Sequence, residues 1–379
     1  MGVKVRVARE VLAEAVGWVA KGLPSRPSVP ILAGMVVDAE DGQVTLSGFD
    51  YESSAQVSVP AEVADGGRVL VSGRLLSDIC RSMPRDSVDL SGDASRVQVV
   101  SGSSRFALQT LPLNEYPALP ELPGASGVVN GDAFARAVAQ VVSASGRDDT
   151  LPVFTGIRVE LRGSTISLLA TDRYRLALRV IEWEPADPSV EANALVPARM
   201  LQNVAKAMAG HDLTLALGST RTGDGLIGFE GGGRRATGRL IDGDFPKVRS
   251  LIPAESAITS TVQVDTAALL EAVKRVALVA ERTTPVRINF ADGTATLDAG
   301  TGEEAQASES VEATITGDPV STGFKAEYLL DALASLGMPI AHFAFTQPLK
   351  PANLTGLRAP DETPTGDSAY ILMPMRLPT

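Results

Sequence analysis

The sequence predicts an α+β fold built from three tandem copies of one unit of about 125 residues, each with two helices packed on antiparallel strands. Three observations carry this reading. Helix-like segments recur at Ala13-Glu14-Ala15-Val16, Ala135-Arg136-Ala137-Val138 and Leu270-Glu271-Ala272-Val273, spaced by 122 and 135 residues. A strand running into a helix recurs at Val69-Leu70-Val71-Ser72-Gly73-Arg74-Leu75-Leu76 and Ala194-Leu195-Val196-Pro197-Ala198-Arg199-Met200-Leu201, with a fainter echo at Phe324-Lys325-Ala326-Glu327-Tyr328-Leu329-Leu330. Between the helices lie alternating apolar and polar segments bounded by Gly, Asp and Ser, such as Arg96–Val100 and Thr165–Leu169.

Apolar spacing of three and four residues predicts helices over 9–22, 74–86, 132–149, 198–210, 265–282 and 326–337. Asp132 and Asp265 stand ahead of two of them as N-caps. Gly231-Gly232-Gly233-Arg234-Arg235 reads as a hairpin turn. The Pro-rich stretch Pro117 to Gly124 and the segment Leu251 to Ala257 mark the junctions, dividing the chain into repeats 1–124, 125–253 and 254–379.

Composition fits a soluble globular protein, at 44% hydrophobic and 21% charged residues. No apolar run reaches the roughly 18 residues of a membrane helix. The start, MGVKVRVARE, lacks a signal peptide's apolar core, and Arg6 stands where a myristoylation signal has Ser or Thr. A cytoplasmic protein without membrane contact is expected. Cys80 is the single cysteine, and His211 and His342 are the only histidines, so neither a disulfide nor a cysteine metal site is expected, and no cofactor. Cys80 sits in a helix-like stretch and reads as a buried structural thiol.

The net charge of −11 argues at first against nucleic acid. Its distribution changes that argument. The six predicted helices hold 12 Lys/Arg and 12 Asp/Glu, so all the excess acid lies outside them. Helices facing a duplex and acidic strands facing outward are compatible with DNA; solvated helices on an acidic protein fit the same count. Catalysis finds little support. The Gly-rich segment lacks the Gly-Lys-Ser/Thr ending of a phosphate loop, no Gly-x-Ser-x-Gly elbow occurs, and two histidines offer little general-base capacity.

Seven features together resemble one family. They are Arg26-Pro27 ahead of Pro30-Ile31-Leu32, Asp78-Ile79-Cys80-Arg81, Thr110-Leu111-Pro112 before Tyr116-Pro117, Ala170-Thr171-Asp172-Arg173-Tyr174-Arg175-Leu176, Gly243-Asp244-Phe245-Pro246, the three ordered repeats, and Met373-Pro374-Met375-Arg376-Leu377. Together they resemble the bacterial DNA polymerase III beta clamps over essentially the whole chain. The resemblance implies a non-catalytic homodimeric ring that encircles duplex DNA without sequence preference, with helices lining the hole. It also implies partners: the polymerase catalytic subunit, the clamp loader and other replication and repair proteins.

By the same resemblance, Arg26, Arg74, Arg147 and Arg199 contact DNA or line the channel. A partner-peptide pocket is implied at Thr171, Tyr174, Arg175, Leu176, Pro246, Val248, Met373, Pro374, Met375, Arg376 and Leu377. Polarisable methionines suit a pocket that accepts varied apolar anchors. The chain departs from the commonest family pattern at Arg173 (often glycine), Val248 (often aromatic), Ser250 (often arginine) and Arg147-Asp148 (often His-Gln). Pro348, Pro351 and the added Pro378-Thr379 are further departures. Two other readings are a cytosolic peptide-binding scaffold without DNA, and a second clamp copy whose pocket is altered against an inhibitor.

Overall fold

The structure, a computed structural model, describes residues 2–24, 26–84, 87–93, 95–218, 225–281, 284–300, 305–347 and 349–376. Seven α-helices are described: α1 (Arg9–Gly22), α2 (Gly73–Ser82), α3 (Gly131–Val142), α4 (Pro152–Thr155, a single turn), α5 (Ala198–Ala207), α6 (Thr266–Val276) and α7 (Ala326–Leu336).

Apart from α4, every helix begins within one residue of its predicted start and buries the same stripe of positions i, i+3, i+4 and i+7. The stripes are Leu12, Ala15, Val16 and Val19; Leu76, Ile79, Cys80 and Met83; Phe134, Ala137, Val138 and Val141. They continue with Leu201, Val204, Ala205 and Met208; Leu269, Ala272, Val273 and Val276; and Leu329, Ala332, Leu333 and Leu336. Each stripe is the sequence periodicity turned into a core, at roughly 1.5–3 kcal/mol for each large side chain buried.

The predicted C-terminus holds for α1 and, within one residue, for α7; those of α2, α3, α5 and α6 ran three to seven residues long, because local chemistry stops the helices earlier. Pro84 holds Met83 in an extended conformation after α2. Gly210, at φ +81°, turns the chain soon after α5, and Gly337, at φ +62°, ends α7 in a left-handed cap. Asp265 caps α6 as predicted, its carboxylate accepting the Ala268 N–H at 2.8 Å. The predicted cap Asp132 is corrected: Asn130 accepts the Ala133 N–H at 3.0 Å, and Asp132, in the first turn, accepts from the Gly210 N–H instead.

Each repeat divides its main strands into two antiparallel sets. In the first repeat one set is Gly34–Glu40, Gln43–Phe49, Ser53–Pro60 and Gly67–Ser72; the other is Val3–Ala8, Ser87–Gly92, Arg96–Ser101 and Ser104–Leu111. The middle repeat repeats this with Gly156–Arg162, Thr165–Thr171, Arg175–Glu182 and Glu191–Pro197, and with Gly127–Asn130, Asp212–Leu217, Leu226–Gly231 and Arg234–Arg239. The third has Val286–Ala291, Thr294–Ala299, Ala307–Gly317 and Val320–Phe324, and Ser260–Asp265, Ile340–Phe345, Ala352–Leu357 and Ser368–Leu372. The turn at Gly232-Gly233 has both residues at positive φ, as the predicted hairpin requires.

A smaller signature confirms the repeat. Asp50 donates its N–H to Ser53 O at 3.2 Å and Asp172 donates to Arg175 O at 3.3 Å, closing two-residue turns 122 residues apart. In each, the first central residue has positive φ (Tyr51 +71°, Arg173 +80°), and the leading aspartate accepts the N–H groups two and three residues on.

By contacts the chain forms two compact units. One comprises Met1–Ala135, Trp183–Pro188 and Arg199–Leu240, and holds a 14-stranded sheet; the other comprises Arg136–Glu182, Ser189–Ala198 and Ile241–Thr379, and holds a 12-stranded sheet. The middle repeat is shared between them because its two sets pair with different neighbours. In the first unit Arg234–Arg239 pairs with Ser53–Pro60, reinforced by a 2.6 Å bond between the Ser54 and Thr237 hydroxyls. In the second, Arg175–Glu182 pairs with Ser368–Leu372.

Cys80 is fully buried, and desolvation pushes its thiol pKa up to about 12. A thiol-disulfide reagent at pH 8 is therefore expected to leave the native protein unlabelled and to label one thiol per chain in guanidinium. Rapid labelling of the native protein would contradict this packing.

Candidate functional site

The Asp172–Arg175 turn is where the predicted pocket residues converge. Thr171 is buried; its hydroxyl donates to Arg175 O at 2.7 Å and accepts the Arg173 N–H at 3.2 Å. Asp172 accepts the N–H groups of Tyr174 and Arg175, both at 3.0 Å, on one carboxylate oxygen. The turn is thus held by side chains, and this allows a non-glycine residue at Arg173.

The Arg175 side chain is only 3% exposed. Its Nε donates to Asp172 Oδ2 at 3.0 Å and its Nη1 to Asp331 Oδ2 of α7 at 2.6 Å, and the guanidinium carbon lies 4.4 Å from the Tyr328 ring centre. Burial opposes the charge, but the pull of Tyr370, the hydrogen bond to Asp331 and the field of Asp172 outweigh it and raise the pKa. Arg175 is a fixed cation.

Beside it opens a cavity of about 420 Å³. Tyr174, 53% exposed, stacks on Tyr328 with centroids 6.1 Å apart and planes 26° apart. The Arg173 guanidinium lies 5.5 Å from the centre of the Phe154 ring and 5.9 Å from that of Tyr174. Glu327 at the start of α7 is bridged by Lys325 at 3.2 Å and by Arg147 at 3.6 Å. Its carboxyl is held below the usual range, chiefly by the Lys325 hydrogen bond.

Leu176 and Val248 belong to an adjoining apolar cluster with Leu169, Leu178, Phe245 and Ile371, and Pro246 is half-buried next to it. Glu160 receives Arg249 at 2.7 Å and Arg158 at 2.8 Å; burial works against its charge, but the two arginines win and its pKa falls. The C-terminal segment docks through its backbone, the Met373 N–H donating to Tyr174 O at 3.0 Å and the Met375 N–H to Gly323 O at 2.8 Å. Met373 is 37% exposed, Pro374 and Met375 are half-buried, and Arg376 is exposed. Leu377, Pro348 and Pro378-Thr379 lie outside the described residues.

Of the four predicted DNA-facing arginines, three belong to the unit with the 14-stranded sheet. Arg74 is exposed on the first turn of α2, and its Nη2 donates to Leu23 O at 3.1 Å, which brings it to the loop that carries exposed Arg26. Arg199 is exposed at the start of α5. Arg147 belongs to the other unit and lines the cavity with Glu327. It is not brought together with the other three within one unit.

Sequence reasoning missed Phe154, Lys325, Glu327, Tyr328 and Asp331. One signal was available: Tyr328 is an aromatic one position ahead of the α7 core stripe, off the buried face.

The chain matches the family models described as the N-terminal, central and C-terminal domains of the DNA polymerase III beta subunit, over residues 3–120, 128–247 and 249–376. It is 52% identical to the beta sliding clamp of Streptomyces coelicolor over 375 residues, 99% of each chain. It is 42% identical to the beta sliding clamp homolog GriR of Streptomyces muensis, over 98% of this chain and 99% of that one. A crystal structure of the Pseudomonas aeruginosa sliding clamp bound to griselimycin superposes with a TM-score of 0.88 at 28% identity, covering 100% of both chains. The three repeats, their two strand sets and these matches lead to one conclusion: the chain belongs to the DNA polymerase III beta subunit family.

Proposed function

We propose that the chain is a sliding clamp. Two copies close head to tail into a ring around duplex DNA, and partner proteins dock short linear peptides in the cavity beside Arg175. The repeats acting as ring segments are 1–124, 125–253 and 254–379. Partners taken in turn are the replicative polymerase's catalytic subunit, the clamp loader and other replication and repair proteins, in the cytoplasm. The chain itself catalyses nothing.

One observation carries the ring. Twice, the third strand of a repeat's first set pairs with the last strand of the next repeat: Ser53–Pro60 with Arg234–Arg239, and Arg175–Glu182 with Ser368–Leu372. The third instance has no partner among the described residues. Ala307–Glu312 is paired on one side only, with Thr294–Ala299, and Ser104–Gln109 on one side only, with Arg96–Ser101. An open strand edge is a template for another chain.

Carrying over the register of the first junction sets Ser104 opposite Glu309, Arg105 opposite Ser308 and Phe106 opposite Ala307 of a second copy. That pairing gives cover to Phe106, 41% exposed. Such a heterologous contact closes with two chains if each supplies three segments of a pseudo-sixfold ring. Retention is then topological, so contacts to phosphate need only be weak and blind to sequence. Arg26, Arg74 and Arg199 supply exposed cations, and the acid excess on the strands repels DNA from the outer face.

Four outcomes test this. The double variant Phe106→Cys, Ala307→Cys is expected to form covalent dimers under mild oxidation. Wild type placed by its clamp loader on nicked circular DNA stays bound in high salt and leaves once the circle is cut; monomers, or equal retention on linear DNA, would sink the ring. Reversing Arg26, Arg74 and Arg199 to Glu weakens binding at low salt and lowers the slope of log K against log salt by about 3; an unchanged slope removes those arginines from the DNA face. Deleting residues 373–379 is expected to cost peptide binding more than about 2 kcal/mol while leaving the dimer intact. Calorimetry with a polymerase-derived peptide reads this directly, and undiminished affinity in the folded deletion would refute the docking site.

A further inference from the structure

The cavity beside Arg175 carries four cations, Arg147, Arg173, Arg175 and Lys325, and three carboxylates, Asp148, Asp172 and Glu327. Each carboxylate already has partners. Asp148 accepts the Thr150 hydroxyl at 2.6 Å and the Thr150 N–H at 3.0 Å. Asp172 holds the turn and Arg175, and Glu327 is bridged by Lys325 and Arg147. Arg173 differs from the other three cations. Asp148 lies within its field, yet among the described residues no carboxylate stands at ion-pair distance from it.

Its backbone adds a second observation. At φ +80° Arg173 occupies the first central position of a two-residue hairpin, where glycine is accommodated without strain and a branched or long side chain is not. The guanidinium nevertheless lies over the faces of Phe154 and Tyr174. Stacking on rings occupies the flat face of a guanidinium and leaves its N–H edge for a planar acceptor, and a carboxylate fits that edge with two parallel bonds.

We propose that Arg173 is a specificity-determining residue of the docking cavity, selecting linear peptides that carry a carboxylate side chain next to an apolar anchor. This rests on the docking role proposed above for the cavity. The aromatic faces of Phe154, Tyr174 and Tyr328 take the anchor, and the free edge of Arg173 takes the acid. Arg175 cannot serve in its place, because its side chain is buried and already paired through Nε with Asp172 and through Nη1 with Asp331.

The test uses the full-length protein and a panel of capped pentapeptides with Leu and Phe anchors, each remaining position carrying in turn Asp, Asn or Lys. Wild type is expected to bind the Asp member at one position about tenfold more tightly than the Asn member, with the difference shrinking as salt rises. Arg173→Gly suits the turn's backbone and should fold at least as well as wild type; it is expected to bind Asp and Asn members alike. Arg173→Lys keeps the charge without the planar fork and should recover only part of the preference. Equal binding of Asp and Asn members by wild type, or a preference that survives in Arg173→Gly, overturns the role of Arg173 and leaves the docking cavity standing. If no panel member binds wild type, the docking cavity itself fails, and the inference with it.

Discussion

Arg175 ties together three pieces of chain that are far apart in sequence. It closes on Asp172 within its own turn, on Asp331 of α7 156 residues away, and lies against the face of Tyr328. Its backbone sits opposite Leu372 in the strand Ser368–Leu372, which leads into the methionine-bearing tail. A buried cation with this geometry is held because every partner is in place; removing one side of such a pair typically costs about 3–5 kcal/mol, since the charge left behind is neither solvated nor paired. The cavity, the stacked Tyr174-Tyr328 pair and the docked C-terminal segment all hang from this node.

The architecture around that node comes from one rule applied repeatedly. Six helices present the same four-position apolar stripe to antiparallel strands, and the first strand set of each of the first two repeats is completed by the next repeat's last strand. A rule that joins a segment to its successor leaves one unsatisfied edge at each end of a three-segment chain. Self-association therefore follows from backbone hydrogen bonding before any side chain is considered. In the proposed ring, closure by strand addition would let an acidic protein hold DNA: topology would supply retention, and exposed arginines would need only keep the duplex in a sliding register.

The same two-residue turn is used at Asp50 and at Asp172, with different results. In the first repeat Tyr51 takes the positive-φ position and is 54% exposed beside Phe49. In the middle repeat Arg173 takes it, and the turn borders the cavity formed with α7. A common backbone device comes to border a cavity where the neighbouring repeat supplies an aromatic and a carboxylate.

Sequence alone determined the helix starts, the strand-to-helix joins, the repeat spacing, the Gly232-Gly233 turn and the buried state of Cys80. These depend on local periodicity and on conformational preferences of single residues, which a linear pattern records. The C-terminal limits of the helices were less legible, because a proline or a left-handed glycine stops the backbone while apolar spacing runs on. Asn130 displaced Asp132 as a cap because hydrogen-bond geometry favours the residue just before the first turn. The site was legible only in part. Thr171, Tyr174, Arg175 and the Met373–Arg376 segment stood out by resemblance; Phe154, Lys325, Glu327, Tyr328 and Asp331 did not, and Arg147 came to border the cavity. Pairing of Arg175–Glu182 with Ser368–Leu372 brings those residues together across nearly two hundred positions of chain. Long-range strand pairing obeys register and burial that no local pattern encodes, so only the tertiary structure decided which charges meet, which are spent, and that Arg173 is left with a free edge.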